Sequence, residues 1–218
     1  MFGNKPFRMS IQMNTRQIES MLGDLSRKAG LVMSRASNRA AITARQSFWD
    51  GTKERYRVTK ADVIGSIRIK KAFKNHPYAT LISSGTHRGL EKFKVSPFRP
   101  LKFTKRRKRS PHVYKAAVMK NQGLKPLDGN PKPFVAVLSN GHKGVFVRKD
   151  VSRLNKGKYR HRRGKEKYRN FIKSVQGPAI PQILKNKDIL ETVINNANDT
   201  MVKRVEHEID IILNKTIK

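Results

Sequence analysis

Between Asn14 and Tyr56, apolar residues recur at steps of three and four: Ile18, Leu22, Leu25, Ala29, Val32, Ala36, Ala40, Ala44 and Phe48. Arg16, Glu19, Arg27, Arg35, Arg39 and Arg45 fall on the other face, so the stretch predicts an amphipathic helix. Gly23, Gly30 and Gly51 each weaken it by about 1 kcal/mol relative to Ala. The expectation is one long helix, or a pair broken near Gly30. Its Ala-rich stripe allows close packing, which suits a core or subunit interface.

The period then changes. Thr59-Lys60-Ala61-Asp62 has the form of a variant capping box, with Thr59 as N-cap and Asp62 reaching back. A short helical turn and a strand follow, Ser66 to Lys70, where Ile67 and Ile69 alternate with Arg68 and Lys70. Tyr78 to Ser83, His112 to Met119, Pro133 to Leu138, Gly144 to Arg148 and Tyr168 to Val175 are further strand candidates. Turns are expected at Ser84-Gly85, Asp128-Gly129-Asn130 and Asn140-Gly141. After the stiff loop Gly177-Pro178-Ala179-Ile180-Pro181, one apolar stripe runs from Ile189 to Leu213. That final helix is stable only when docked, on its own sheet or on a neighbouring subunit. Leu190, Ile194, Met201, Val205, Ile209 and Ile212 are its candidate docking or subunit-interface residues. The fold class is α+β: a long N-terminal helix, a central mostly antiparallel sheet with basic loops, and an amphipathic C-terminal helix. The regions divide at 1–62, 63–176 and 177–218 within one structural domain.

Charge changes this picture. The 218 residues carry 49 Lys and Arg against 15 Asp and Glu, a net +34. From Val63 to Lys187 there are 33 basic and 4 acidic residues, leaving only +5 for the rest of the chain. Two runs dominate, Lys105-Arg106-Arg107-Lys108-Arg109 and Arg148 to Arg169; in the second, Arg153, Lys158, Arg160, Arg162, Arg163 and Lys165 are the strongest candidates. Such runs bind polyanions by releasing condensed counterions, dock on acidic protein, or stay solvated. Tyr159 and Tyr168 interleave the second run, as stacking residues or as ordinary loop and core positions. At 37% hydrophobic residues, the chain has too much apolar content for a purely disordered basic tail.

Catalytic chemistry is poorly supplied. Cysteine is absent, which removes disulfides, thiolate metal sites and Cys nucleophiles. The six histidines (His76, His87, His112, His142, His161 and His207) show no paired ligand spacing. Ser139 lacks a nucleophile elbow, the basic region holds no paired carboxylates, and there is no Gly-rich phosphate loop. The expectation is a protein that is not an enzyme and has no cofactor and no metal. Met1 to Arg8 lacks the apolar core of a signal peptide, and no apolar run is long enough to span a membrane.

Several segments in order carry a resemblance. They are Asn38-Arg39-Ala40-Ala41 with Thr43-Ala44-Arg45, Val58 to Val63 leading into Ser66-Ile67-Arg68-Ile69, and Phe134 to Val137. Ser139-Asn140-Gly141-His142-Lys143-Gly144-Val145-Phe146-Val147-Arg148 follows, then Gly177-Pro178-Ala179-Ile180-Pro181-Gln182-Ile183-Leu184. From about Met33 to Leu213 this order resembles the prophage minor tail protein Z family, the tail completion proteins of lambda-like phages. The match is weaker across His87 to Pro131 and Asp150 to Tyr168. The resemblance implies a structural virion protein of the head–tail junction, made in the host cytoplasm and assembling as a homo-oligomeric ring, six-fold in keeping with the tail. Its implied partners are tail terminator, tail tube or head–tail connector proteins, with contact to viral DNA and none to membrane. The alternative is a free basic nucleic-acid-binding protein, ribosomal-like or nucleoid-like.

Overall fold

A computed structural model describes residues 6–12, 15–23, 28–100, 114–129, 131–148 and 172–216. The chain divides into two compact units, Met1–Thr86 with Pro178–Lys218, and His87–Gly177. The fold is α+β, with two long helices and antiparallel sheets.

The first unit is built on helices. Strand β1 (Phe7–Ile11) leads into helices α1 (Thr15–Leu22), α2 (Ala29–Arg55) and α3 (Lys60–Ser66), then strands β2 (Ile67–Lys70) and β3 (Ala79–Ser83). After the second unit come α4 (Ile180–Ile183) and α5 (Lys187–Thr216). The N-terminal helical stretch is therefore a pair. Its break lies at Gly23, ahead of the expected Gly30, because Gly23 takes φ +51, the left-handed conformation that ends helices. Gly30 lies inside α2 and serves another purpose: a β-carbon there would sit 2.6 Å from the Lys74 carbonyl oxygen.

Helix α2 presents Ala36, Ala40 and Ala44, all fully buried, and α5 answers with Val193, Ala197, Met201, Val205 and Ile209. Small residues on one helix let the bulkier ridges of the other approach. Phe48, also fully buried, meets the Phe7 ring edge-on at 5.6 Å and ties β1 to α2. The sheet has the order β1-β3-β2, antiparallel throughout, with Phe7 and Ile67 both opposite Ser83. Thr59 caps α3 by accepting the Asp62 N–H at 3.3 Å, while the Asp62 carboxylate accepts the Thr59 hydroxyl at 2.6 Å. At the entry to α4, the Gln182 side chain accepts the Ala179 N–H at 3.0 Å. A β-carbon at Gly85 would lie 3.7 Å from the Pro181 ring, so the chain leaves this unit close to where it returns.

The second unit is built on strands. Strands β4 (Lys94–Ser96), β5 (Lys115–Ala117) and β6 (Lys125–Pro126) form one antiparallel sheet in that order. Strands β7 (Phe134–Val137), β8 (Lys143–Arg148) and β9 (Ile172–Ser174) form another. The β7–β8 hairpin turns at Asn140-Gly141, where the Asn140 side chain accepts the His142 N–H at 3.0 Å. The unit's two ends also meet: the Gly177 N–H donates to the Arg88 carbonyl at 2.7 Å, and the His87 ring lies 3.2 Å from the Gly177 carbonyl oxygen. The division thus falls after Thr86 and after Gly177. Strands β2 and β3 belong with the helices because Ile67, Ala79 and Leu81 are part of their core.

Candidate polyanion interface

The candidate site is a distribution of charge over the two units. The sequence of the strand unit, 87–177, carries 27 Lys and Arg against 4 Asp and Glu, a net +23. Lys105, Arg106, Arg107, Lys108 and Arg109, and likewise Arg153, Lys158, Arg160, Arg162, Arg163 and Lys165, lie outside the described residues. The described part of this unit still holds 11 basic side chains against Glu91 and Asp128. Lys92, Lys94, Arg99, Lys115, Lys120, Lys125, Lys132, Arg148 and Lys173 are exposed.

Short strands explain that exposure. With a period of two, every second residue faces outward, and strands of two to six residues leave most of their length near ends and loops. Some cations rest on aromatic faces. The Lys143 ammonium lies 4.3 Å from the Phe98 ring centre and the Arg148 guanidinium 5.8 Å from that of Phe134. Such contacts hold a cation in place while leaving its outer side to solvent or ligand. Glu91 is turned inward, with its Oε1 atom 3.9 Å from His142 Nε2 and its Oε2 atom buried without a hydrogen-bond partner. The exposed face of the described strand unit therefore has one carboxylate, Asp128.

The six docking candidates on α5 separate into two groups. Met201, Val205, Ile209 and Ile212 are buried in this chain's own core, and Leu190 packs partly buried against it. Within this chain the buried four are covered by its own helices. Ile194 is 43% exposed. In sequence the helical period placed it on the stripe, but it lies at the margin of the face that α2 covers.

Sequence reasoning missed three arrangements in the helical unit. The Glu208 carboxylate is 1% exposed and bridges Arg35 at 2.7 Å and Arg204 at 2.6 Å. Beside it Arg35, Asn38, Arg39, Ile42, Arg204 and Ile211 line an open recess of about 620 Å³. The i,i+4 spacing of Arg204 and Glu208 was a readable signal, but the partnership with Arg35 across 173 positions was not. Asn38 hydrogen-bonds both backbone groups of Ala72, donating to its carbonyl at 3.0 Å and accepting its N–H at 2.7 Å. The third arrangement is the connection between β2 and β3, where Phe73 is 67% exposed.

Among the described residues no group of three or more His, Asp or Glu could hold a metal ion, and no helix is long and apolar enough to cross a membrane. His142 lies at the hairpin turn with its ring edge-on to Phe146 at 6.2 Å. No family model, no curated protein and no solved structure matches the chain.

Proposed function

We propose that the protein is a structural component of a phage neck, a tail completion protein that acts by binding and carries out no reaction. One correspondence carries this reading: the segments of the resemblance coincide with frame elements of both units. Residues 38–45 lie on α2, 58–69 span α3 and β2, 134–148 make the β7–β8 hairpin, and 177–184 carry α4 towards α5. The helices supply a rigid body for assembly into a ring. The strand unit supplies a cationic face for acidic neighbouring rings or for DNA in the channel.

Mass spectrometry of purified particles of the encoding phage tests this reading, with the chain quantified against the major tail protein. A few copies per particle are expected. Absence from finished particles overturns the structural role.

The charge of the strand unit favours a second reading, a free nucleic-acid-binding protein. In that case the isolated chain binds duplex DNA with a steep salt dependence. Neutralising about eight phosphates gives a log–log slope near −7. That slope together with absence from particles selects the second reading.

A further inference from the structure

Residues 68–78 read Arg-Ile-Lys-Lys-Ala-Phe-Lys-Asn-His-Pro-Tyr, with four cations and no acidic side chain. Arg68, Lys70, Lys71 and Lys74 are all exposed. Phe73 and Tyr78 are exposed as well, at 67% and 46%. A lone exposed aromatic ring means little. What distinguishes this one is how firmly its backbone is held.

Phe73 and His76 exchange both backbone hydrogen bonds at 2.9 Å, closing a tight tip. Three residues of α2 then brace it from below. Asn38 engages both backbone groups of Ala72, and the Ser37 hydroxyl donates to the Pro77 carbonyl at 2.9 Å. Gly30 lets the Lys74 carbonyl approach to where a β-carbon would collide. Ala72, between the lysines and the phenyl ring, is buried and serves as the anchor. The Tyr78 ring meets His76 edge-on at 6.3 Å. None of these contacts covers Phe73; they fix the backbone that presents it.

A braced loop loses little conformational freedom on binding, so its contacts translate into affinity. Lysines alone would suit any polyanion. An acidic protein surface satisfies them but offers the phenyl ring no particular partner. A nucleotide offers a phosphate and a flat base face within one repeat. In a duplex the base faces are already stacked, so only unpaired bases can use the ring. We propose that the 68–78 hairpin binds single-stranded nucleic acid, with Phe73 and Tyr78 stacking on bases and Arg68, Lys70, Lys71 and Lys74 holding the flanking phosphates. The inference is independent of the neck reading and uses no residue of 101–113 or 149–171.

The test uses the full chain and a fluorescent oligothymidylate of about 20 nucleotides, read by anisotropy at roughly 0.3 M salt, where phosphate contacts are weakened and stacking persists. Phe73→Ala should weaken binding about tenfold, and Phe73→Ala with Tyr78→Ala further. Affinity for a duplex of equal length should stay within about twofold, since the duplex reads charge. Both rings are exposed, so the variants should keep the wild-type circular dichroism spectrum. Photocrosslinking with a bromodeoxyuridine-substituted oligonucleotide should mark peptides spanning 68–78. Unchanged oligothymidylate affinity in both variants, or crosslinks confined to other segments, overturns the proposal. So does an equal loss of binding to polyglutamate, which would make the tip a docking point for acidic protein.

Discussion

The two units solve opposite problems. Of the twelve largest fully buried side chains among the described residues, eleven belong to the helical unit, from Phe48, Ile18 and Met33 to Leu184 and Met201. The strand unit contributes Val145 alone. The charge is reversed, at +23 for the strand unit against +11 for the helical one, which is also the longer. Dense like charge repels itself and works against compaction, while burial of apolar surface drives it. The helical unit has enough core to fix a shape without help. The strand unit has a thin core under a heavy charge, so its stability depends on what neutralises that charge. The difference separates a frame from a contact surface.

The sharpest way to break this comparison is to cut each core. Phe48→Ala should cost about 3–5 kcal/mol, since it removes a fully buried ring that also holds Phe7. Urea unfolding followed by hydrogen exchange should show the loss across α2, α5 and β1. A loss below about 1 kcal/mol would mean that the helical core is not what holds that unit.

A middle-sized effect comes from counterions. With a short DNA duplex, which reads charge and offers no free base faces, at about 100 times its dissociation constant, whatever it binds gains about 2.7 kcal/mol. Hydrogen-exchange mass spectrometry should place that protection mainly on peptides of β4 to β9. Protection confined to α2 and α5 would reverse the assignment of frame and surface. The smallest effect is that of Val145→Ala, about 2 kcal/mol for two methylene equivalents and a small cavity. Exchange should rise at β7, β8 and β9, and a cost as large as that of Phe48→Ala would show the strand core to be thicker than its burial suggests.

The long elements were legible because they repeat. Helices α2 and α5 carry the 3.6-residue period over 27 and 30 residues, and Thr59 announced α3 through a local contact with Asp62. The β7–β8 hairpin was marked by Asn140-Gly141, whose turn preference is also local. Strand β1 escaped notice although Phe-Arg-Met-Ser-Ile alternates, because five residues give the period little room. Its pairing with β3 joins positions 68 to 76 residues apart. Gly30 looked like a helix break because its reason, the Lys74 carbonyl, is distant in sequence. Asn38 and Glu208 were illegible in the same way, their partners lying 34 and 173 positions away. The basic runs were the most visible chemistry in the sequence, and apart from Arg148 they lie outside the described residues.

The paired chain crossing has a consequence for descent. The helical unit closes on itself where Gly85 approaches Pro181, and the strand unit closes where Gly177 binds Arg88. Each therefore brings its own two ends together, the arrangement that tolerates insertion and excision of whole segments. A lineage carrying this frame can exchange the middle segment as one piece. It would acquire a new electrostatic character at one stroke while the helices that hold the body together are inherited unchanged.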